Sequence, residues 1–273
     1  MSLTTDPIMP DSTTSGILNN PRFYGGQVID YVQAVQQKIS IACLIYKSSQ
    51  YCDFIYDQVQ RHTPQLKYGS AEFFFVVNFQ KSVSEKVVEH LKNKGYKFFV
   101  YDKNPEQKKY PENISDIYNA WNFAVEKAEG THVCLINSDM AFCDDQWLVS
   151  LMHNYSDDKI VTSRLVESGK MPSGNYGISQ FFGNSPETYK EKEFKEFAQQ
   201  VKIEKLSYGG LYCPFIIRKN LFQKAGGYPS GNEFGVAGDK IFFYQKLAKL
   251  GIRHYTSFDS VVYHFQNGEV DSE

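Results

Sequence analysis

Two carboxylates and one imidazole occupy positions from which they could do chemistry. Asp139 ends the tripeptide Asn137-Ser138-Asp139, directly after an apolar run, and Asp239 follows a glycine where a helix is expected to begin. His264 lies within the last apolar run of the chain. Carboxylate oxygens are the ligands that Mg²⁺ and Mn²⁺ prefer, and an ionised carboxylate in a cleft can act as a general base towards a hydroxyl group.

Each of these residues also has an ordinary structural explanation. Asp139 could cap the turn that follows its strand, and Asp239 could cap the helix that it begins. A single histidine among apolar residues, such as His264, is more often a core residue than a metal ligand. Only the three side chains taken together therefore point to a site.

The elements that would carry these residues follow a regular alternation of short apolar and longer amphipathic runs from Lys38 onward. This alternation predicts βαβ units and a mostly parallel sheet. Strands are expected at 39–46, 72–77, 96–101, 131–136, 159–165, 208–219 and 260–265, and helices at 51–62, 84–94, 114–128 and 240–251. Another helix is expected to begin at an N-cap, Ser185, with Pro186 in its first turn, and to end near Val201. Ligands bind outside the carboxyl ends of parallel strands, which is where Asp139 lies.

Length and composition fit one large α/β domain, or at most two small ones, of which we favour one, and they exclude several classes of protein. The chain has 273 residues, a net charge of -2 and a pI near 6.3, so it lacks the basic surface of a nucleic-acid-binding protein. Its five cysteines are odd in number and form no CxxC pair, which indicates reduced thiols in a cytoplasmic protein. No run approaches the roughly 20 apolar residues of a membrane span, and the N-terminus does not resemble a signal peptide. Aromatic residues make up 15% of the chain, which is compatible with stacking on bases or sugar rings.

Several segments, in this order, resemble the inverting glycosyltransferases of family 2, which have the GT-A fold. ISIACLIYKSSQY is similar to that family's opening strand, and AWNFAVEKAEGTHVCLINSDM to the helix and strand that lead to its DxD metal motif. PFIIRKNLFQKAGGYP resembles the stretch before its catalytic loop, and AGDKIFFYQKLAKLG the loop and helix that carry the base. VYHF matches the position of a histidine that binds the metal in many members. The resemblance extends from about residue 38 to residue 265.

The resemblance implies transfer of a sugar from a nucleoside-diphosphate sugar to an acceptor hydroxyl, with inversion. Asp239 would be the general base, and Asp139 and His264 would hold Mn²⁺ or Mg²⁺. The acceptor would be a glycan, a lipid-linked molecule or a protein. Residues 1–37 would form a flexible arm and a leading helix, and residues 38–273 a single Rossmann-like GT-A domain. Within this domain, residues 38–140 would bind the nucleotide and residues 141–273 the acceptor.

The nucleotide would be held by residues near the strand ends. By the same resemblance, Tyr46 would stack on the base, Asn78 would contact the base edge, and Asn137 and Ser138 would face the ribose. Asn122, in the helix before Asp139, is expected to tie helix to strand and not to touch a ligand.

The sequence also departs from the family pattern. The metal motif is Asn-Ser-Asp, which has one carboxylate where the family has two, and Gly238 stands where a glutamate usually precedes the base. These changes keep open a non-catalytic module that binds nucleotide or carbohydrate. A sugar-phosphate nucleotidyltransferase is a further alternative, but the Gly-rich, Arg-containing loop of that class is replaced by Tyr46-Lys47-Ser48-Ser49.

Overall fold

The computed structural model of the protein describes residues 38–78, 83–102, 114–170, 174–229, 238–266 and 268–269. The arm and leading helix expected at residues 1–37 lie outside these ranges. Within them, helices cover both faces of one mixed sheet, so the expected α/β class is confirmed. Among the described residues, no helix is both long enough and apolar enough to cross a membrane.

The first half of the fold is a run of parallel βαβ units, as predicted. Its strands pair in the order β3-β2-β1-β4. Ser48 caps the first helix by accepting a hydrogen bond from the Tyr51 amide, and Gly95 ends the second helix in the left-handed conformation. The elements are β1 (Ile39–Ile45), α1 (Ser49–His62), β2 (Ala71–Asn78), α2 (Glu85–Lys94), β3 (Phe98–Tyr101), α3 (Ile114–Lys127) and β4 (His132–Asn137).

The second half extends the same sheet in the order β4-β9-β6-β10-β5. Strand β9 is antiparallel to both β4 and β6, so the mostly parallel sheet expected from sequence becomes mixed here. The elements are β5 (Met140–Phe142), α4 (Trp147–Asn154), β6 (Lys159–Glu167), β7 (Ile178–Ser179), α5 (Glu191–Val201), β8 (Leu206–Tyr208), β9 (Phe215–Arg218), α6 (Lys219–Lys224), α7 (238–249) and β10 (Arg253–His264).

The boundaries of several elements in this half differ from the sequence prediction. The helix expected from Ser185 begins only at Glu191, because residues 185–188 close a turn in which the Thr188 amide donates to the Ser185 carbonyl at 3.2 Å. The strand expected over 208–219 is divided, since Gly209 and Gly210 have φ of 82° and 153°, which a regular strand cannot adopt. Helix α7 is π-helical over Phe242–Lys246.

The core lies on both sides of the sheet. Along β1, Ile41 and Cys43 point into the cluster beneath α1, α2, α4 and α5, whereas Ala42 points into the cluster beneath α3, α6 and α7. Burial of both faces explains why the strands of the first half are almost continuously apolar. The sheet edge, and not its faces, is therefore where polar side chains can gather.

The carboxyl ends of four strands meet at one edge of the sheet. Strands β1 and β4 are parallel neighbours, β6 and β10 are parallel neighbours, and β9 joins the two pairs by antiparallel contacts on both sides. The residues at or just beyond these ends are Tyr46, Ser138, Glu167 and His264. This edge is the place where open α/β sheets bind ligands.

Candidate active site

Asp139 and His264 come together at the carboxyl edge of the sheet. Asp139 lies in the two-residue turn between β4 and β5, and His264 is the last residue of β10. His264 Nε2 lies 3.3 Å from Asp139 Oδ2. The other ring nitrogen, Nδ1, lies 3.0 Å from Glu167 Oε1 at the end of β6. The Phe265 amide donates to the Asp139 carbonyl at 3.0 Å, which holds the two chain segments together. The imidazole is thus oriented by one carboxylate while it faces another.

The electrostatics of this group favour a cation. Burial opposes ionisation of Asp139, but the His264 imidazolium and the Gly268 amide outweigh burial and hold the pKa of the Asp139 carboxyl below its ordinary value. Burial also opposes the charge on His264, but Asp139 and Glu167 raise its pKa to about 10. The imidazole therefore carries a proton that any metal at Nε2 would have to replace.

The donor set fits a divalent ion that keeps open coordination positions. A carboxylate and an imidazole backed by a second carboxylate are common metal ligands, and Mg²⁺ or Mn²⁺ completes its shell with water and phosphate oxygens. Among the described residues no cluster of three or more candidate ligands occurs. Asp139 and His264 would therefore hold such an ion only together with other ligands.

Asp239 lies at the start of α7, in a pocket made by two tyrosines. The Tyr118 hydroxyl donates to Asp239 Oδ2 at 2.9 Å, and Tyr228 also hydrogen-bonds to this carboxylate. The two tyrosine rings stack on each other, with centroids 5.0 Å apart. Burial raises the pKa of Asp239 to about 6 against the lowering effect of both hydroxyls. A carboxylate with this pKa is ionised at neutral pH and can still accept a proton.

Gly238 is explained by the ring of Tyr118. A Cβ atom at residue 238 would overlap the Tyr118 ring, so only glycine lets the ring reach the carboxylate of the next residue. The glycine at residue 238, where the sequence comparison led us to expect a glutamate, therefore makes room for the Tyr118 ring beside Asp239.

Asn122 holds the second tyrosine. Its side-chain amide donates to the Tyr228 carbonyl at 3.0 Å, and its carbonyl accepts from the Tyr228 amide at 2.8 Å. We expected Asn122 to tie α3 to a strand. Asn122 instead ties α3 to the loop after α6, so the expected partner was wrong. Asn122 in this way positions a residue that contacts Asp239.

Glu269, which the sequence did not single out, contacts two of the expected nucleotide-binding residues, Tyr46 and Ser138. Glu269 accepts hydrogen bonds from the amides of Tyr46, Lys47 and Ser48 at 2.9, 2.6 and 2.7 Å, and from the Ser138 hydroxyl at 3.1 Å. Burial raises the pKa of Glu269 to about 7, although these hydrogen bonds act to lower it. The loop after β1 is thereby joined to the tripeptide that ends in Asp139.

The remaining expected nucleotide contacts lie on neighbouring strands of the same edge. Asn78 ends β2 and is buried, one position beyond the paired residues Ile45 and Val77. Asn137 ends β4 in a half-buried position beside Leu44 of β1.

The Cys213 thiol lies near both proposed functional carboxylates. Burial raises its pKa above the ordinary value, and the charges of Cys134, Asp239 and Asp139 raise it further. The charges of Asp139 and Asp239 thus both reach this one side chain. The sequence could not predict this proximity, because Cys213 is far from both residues along the chain.

Sequence reasoning missed four side chains that contact the predicted site residues: Tyr118, Glu167, Tyr228 and Glu269. Glu167 ends a predicted strand at the ligand-binding edge, and that position could have identified it. The two tyrosines and Glu269 have no comparable signal, because their roles depend on contacts between distant segments.

Several known structures share the fold of the chain at low sequence identity. TarS 1-349 of S. aureus has a TM-score of 0.50 and 16% identity, over 83% of this chain and 60% of that one. A mannosyltransferase of Pyrobaculum calidifontis in complex with GDP-Man and Mn²⁺ has a TM-score of 0.50 and 14% identity, over 84% and 56%. GalNAc-T7 with UDP, GalNAc and Mn²⁺ has a TM-score of 0.52 and 16% identity, over 84% and 43%. No protein-family model and no curated protein matches the sequence.

These likenesses establish the fold. The chain has the GT-A fold of glycosyltransferases, as its sequence motifs led us to expect. It spans 60% or less of the length of each of these three chains. At such identities the fold alone is shared, and function must be argued from the site.

Proposed function

We propose that the protein transfers a sugar from a nucleoside-diphosphate sugar to an acceptor hydroxyl with inversion of configuration. The proposal rests on the environment of Asp239, which lies at the start of α7 in a GT-A fold. Its carboxylate is half-buried and has a pKa of about 6. A carboxylate used only as a helix cap would need neither burial nor two tyrosine partners.

Asp239 would accept the proton of the acceptor hydroxyl as that oxygen attacks the anomeric carbon. The carboxylate remains ionised above a pH of about 6, and the hydroxyls of Tyr118 and Tyr228 fix its orientation. Direct attack by the acceptor on the face opposite the leaving group inverts the configuration. A positioned base of this kind contributes about 10²- to 10⁴-fold in rate.

Asp139 and His264 would hold Mn²⁺ or Mg²⁺ together with the donor. The ion, when bound, neutralises negative charge on the diphosphate leaving group. Glu167 would keep the imidazole turned so that Nε2 faces the site, since it binds Nδ1 at 3.0 Å. Two neighbours of similar fold contain Mn²⁺ and a nucleotide, which supports this choice of cofactor.

The donor nucleotide would lie along the ends of β1, β2 and β4. Tyr46 would stack on the base, Asn78 would contact the base edge, and Asn137 and Ser138 would face the ribose. These four side chains occupy adjacent strand ends, as a single ligand requires. The acceptor is a glycan, a lipid-linked molecule or a protein.

The experiment that tests this proposal measures release of sugar from a panel of nucleoside-diphosphate sugars with Mn²⁺. The accepted donor is then used with candidate acceptors to compare the wild type with Asp239→Asn. We expect the variant to lose about 10²- to 10⁴-fold in transfer while donor affinity is kept. Asparagine caps helices nearly as well as aspartate, so full transfer by this variant would eliminate Asp239 as the base.

A further inference from the structure

Glu269 lies where the donor nucleotide is expected to bind. Its carboxylate is only 6% exposed and accepts hydrogen bonds from three successive amides, those of Tyr46, Lys47 and Ser48. The Ser138 hydroxyl donates to the same carboxylate at 3.1 Å. Tyr46 and Ser138 are residues to which the proposed function assigns base and ribose contacts. The carboxylate and a nucleotide would therefore compete for one space.

The chain on both sides of this contact is fastened to the proposed metal site. The Phe265 amide binds the Asp139 carbonyl at 3.0 Å, and the Gly268 amide donates to Asp139 Oδ2 at 3.0 Å. The Ser168 hydroxyl holds the Phe265 carbonyl at 2.7 Å. Phe265 and Gly268 thus both contact Asp139, and Glu269 contacts the loop after β1. A ligand that contacts Asp139 and Ser138 must meet these residues.

We propose that Glu269 is an autoinhibitory plug of the donor site, and that the nucleotide binds by displacing the Glu269 carboxylate. This inference rests on the proposed function, because it needs a nucleotide site at Tyr46 and Ser138. The carboxylate satisfies the loop amides in the free protein, and the bound donor takes its place.

Nucleotide can bind only those molecules in which Glu269 has left the site, so the apparent affinity is the intrinsic affinity multiplied by that free fraction. If Glu269 fills the site in nine molecules out of ten, apparent binding is about tenfold weaker. Removing the carboxylate therefore strengthens nucleotide binding. A residue that only supported the loop would act in the opposite direction, since its loss would disorder the amides and weaken binding.

The test is calorimetric titration of the full chain with UDP, GDP, ADP and CDP in the presence of Mn²⁺. Wild type is compared with Glu269→Ala and with Glu269→Gln, which retains the size of the side chain if the alanine variant folds poorly. Glu72→Gln is the matched control, because Glu72 is also a largely buried carboxylate that accepts a backbone amide, that of Glu129, but at the opposite edge of the sheet. Melting temperatures without nucleotide monitor folding.

We expect both Glu269 variants to bind the accepted nucleotide about tenfold more tightly, and Glu72→Gln to bind it as the wild type does. Hydrogen exchange should also show that the Gly268 amide, which donates to Asp139, loses protection when the wild type binds nucleotide. Unchanged or weaker binding by folded Glu269 variants, beside measurable wild-type binding, overturns the plug alone. If neither the wild type nor any variant binds a nucleotide, the protein has no donor site here, and both proposals fail.

Discussion

Asp239 acquires its properties from burial and from two tyrosine neighbours on other segments. Burial raises its pKa to about 6, and the hydroxyls of Tyr118 and Tyr228 oppose that rise. The base must be deprotonated to act, so transfer should fall as the pH drops through about 6 and stay level above it. The logarithm of kcat measured against pH should have a slope of one on the acid side. If kcat instead falls only near pH 3.8, the ordinary pKa of an aspartate, the reacting base is a residue other than Asp239.

Tyr118→Phe isolates one of these contributions. The substitution removes the hydroxyl that donates to Asp239 at 2.9 Å but keeps the ring that packs against Gly238. Loss of the donor destabilises the ionised carboxylate, so the acid limb of the pH profile should move to higher pH. The control is Tyr155→Phe, which removes the hydroxyl of another partly buried tyrosine, one bonded to the Arg218 amide. An unshifted limb in Tyr118→Phe would contradict the assigned role of this hydroxyl.

The sequence singled out Asp139, Asp239 and His264 as candidates but not the residues that contact them, for a physical reason. A polar residue at the end of an apolar run is visible in one dimension, because the run fixes where the strand or helix stops. The contact between Tyr118 and Asp239 joins residues 121 positions apart, and the contact between Glu269 and Tyr46 joins residues 223 apart. Such pairs form only after the sheet has assembled.

At the scale of elements, the first half of the fold was predicted more accurately than the second. Strands β1, β2 and β4 are six to eight residues long and alternate with amphipathic helices, so their pattern is strong. The second half contains strands of two to four residues, such as β7 and β8, which are too short for a pattern. In this half, the positive φ angles of Gly209 and Gly210 interrupt the strand that the sequence predicted.

The start of α7 provides a test at this scale. Gly238→Ala introduces a methyl group into the space of the Tyr118 ring, so either the helix start or the ring must move. We expect a lower melting temperature and a loss of transfer greater than the change in stability explains, because Asp239 is displaced. Overpacking of this kind typically costs about 1–3 kcal/mol of unfolding free energy.

The matched control for this substitution is Gly95→Ala. Gly95 has φ of 66°, and no atom lies within 4 Å of the position that a Cβ would take there, so alanine adds only backbone strain. It should destabilise the protein while transfer per folded molecule stays unchanged. Equal transfer by Gly238→Ala and Gly95→Ala would show that the ring contact does not position the base.

At the scale of the whole molecule, the GT-A sheet brings distant parts of the chain to one edge. Asp139 comes from the middle of the chain, His264 and Glu269 from its end, and Tyr46 from near the first strand. The four hydrogen bonds that Glu269 accepts and the contact of His264 with Asp139 tie these parts together. Ligand binding at this edge should therefore be measurable as stability of the entire fold.

Asp139→Asn tests this coupling between the metal and the fold. A ligand that binds only the folded state at 100 times its Kd adds about 2.7 kcal/mol, which corresponds to a rise in Tm on the order of 5 °C for a domain of this size. We expect the wild type to show a larger rise with nucleoside diphosphate and Mn²⁺ than with nucleoside diphosphate and EDTA. The variant keeps the size of the side chain but loses the charge that attracts the cation, so this difference should disappear.

The control for this last prediction is Asp259→Asn. Asp259 is also a buried carboxylate, but it lies at the irregularity in β10 and is bonded to Ser257 and Asn154. This variant should melt at a changed temperature yet keep the difference between Mn²⁺ and EDTA, because its carboxylate does not face the metal site. If Asp139→Asn retains the full metal-dependent rise, the cation is bound elsewhere, and His264 loses its proposed role together with Asp139, since the two side chains lie 3.3 Å apart and would share one ion.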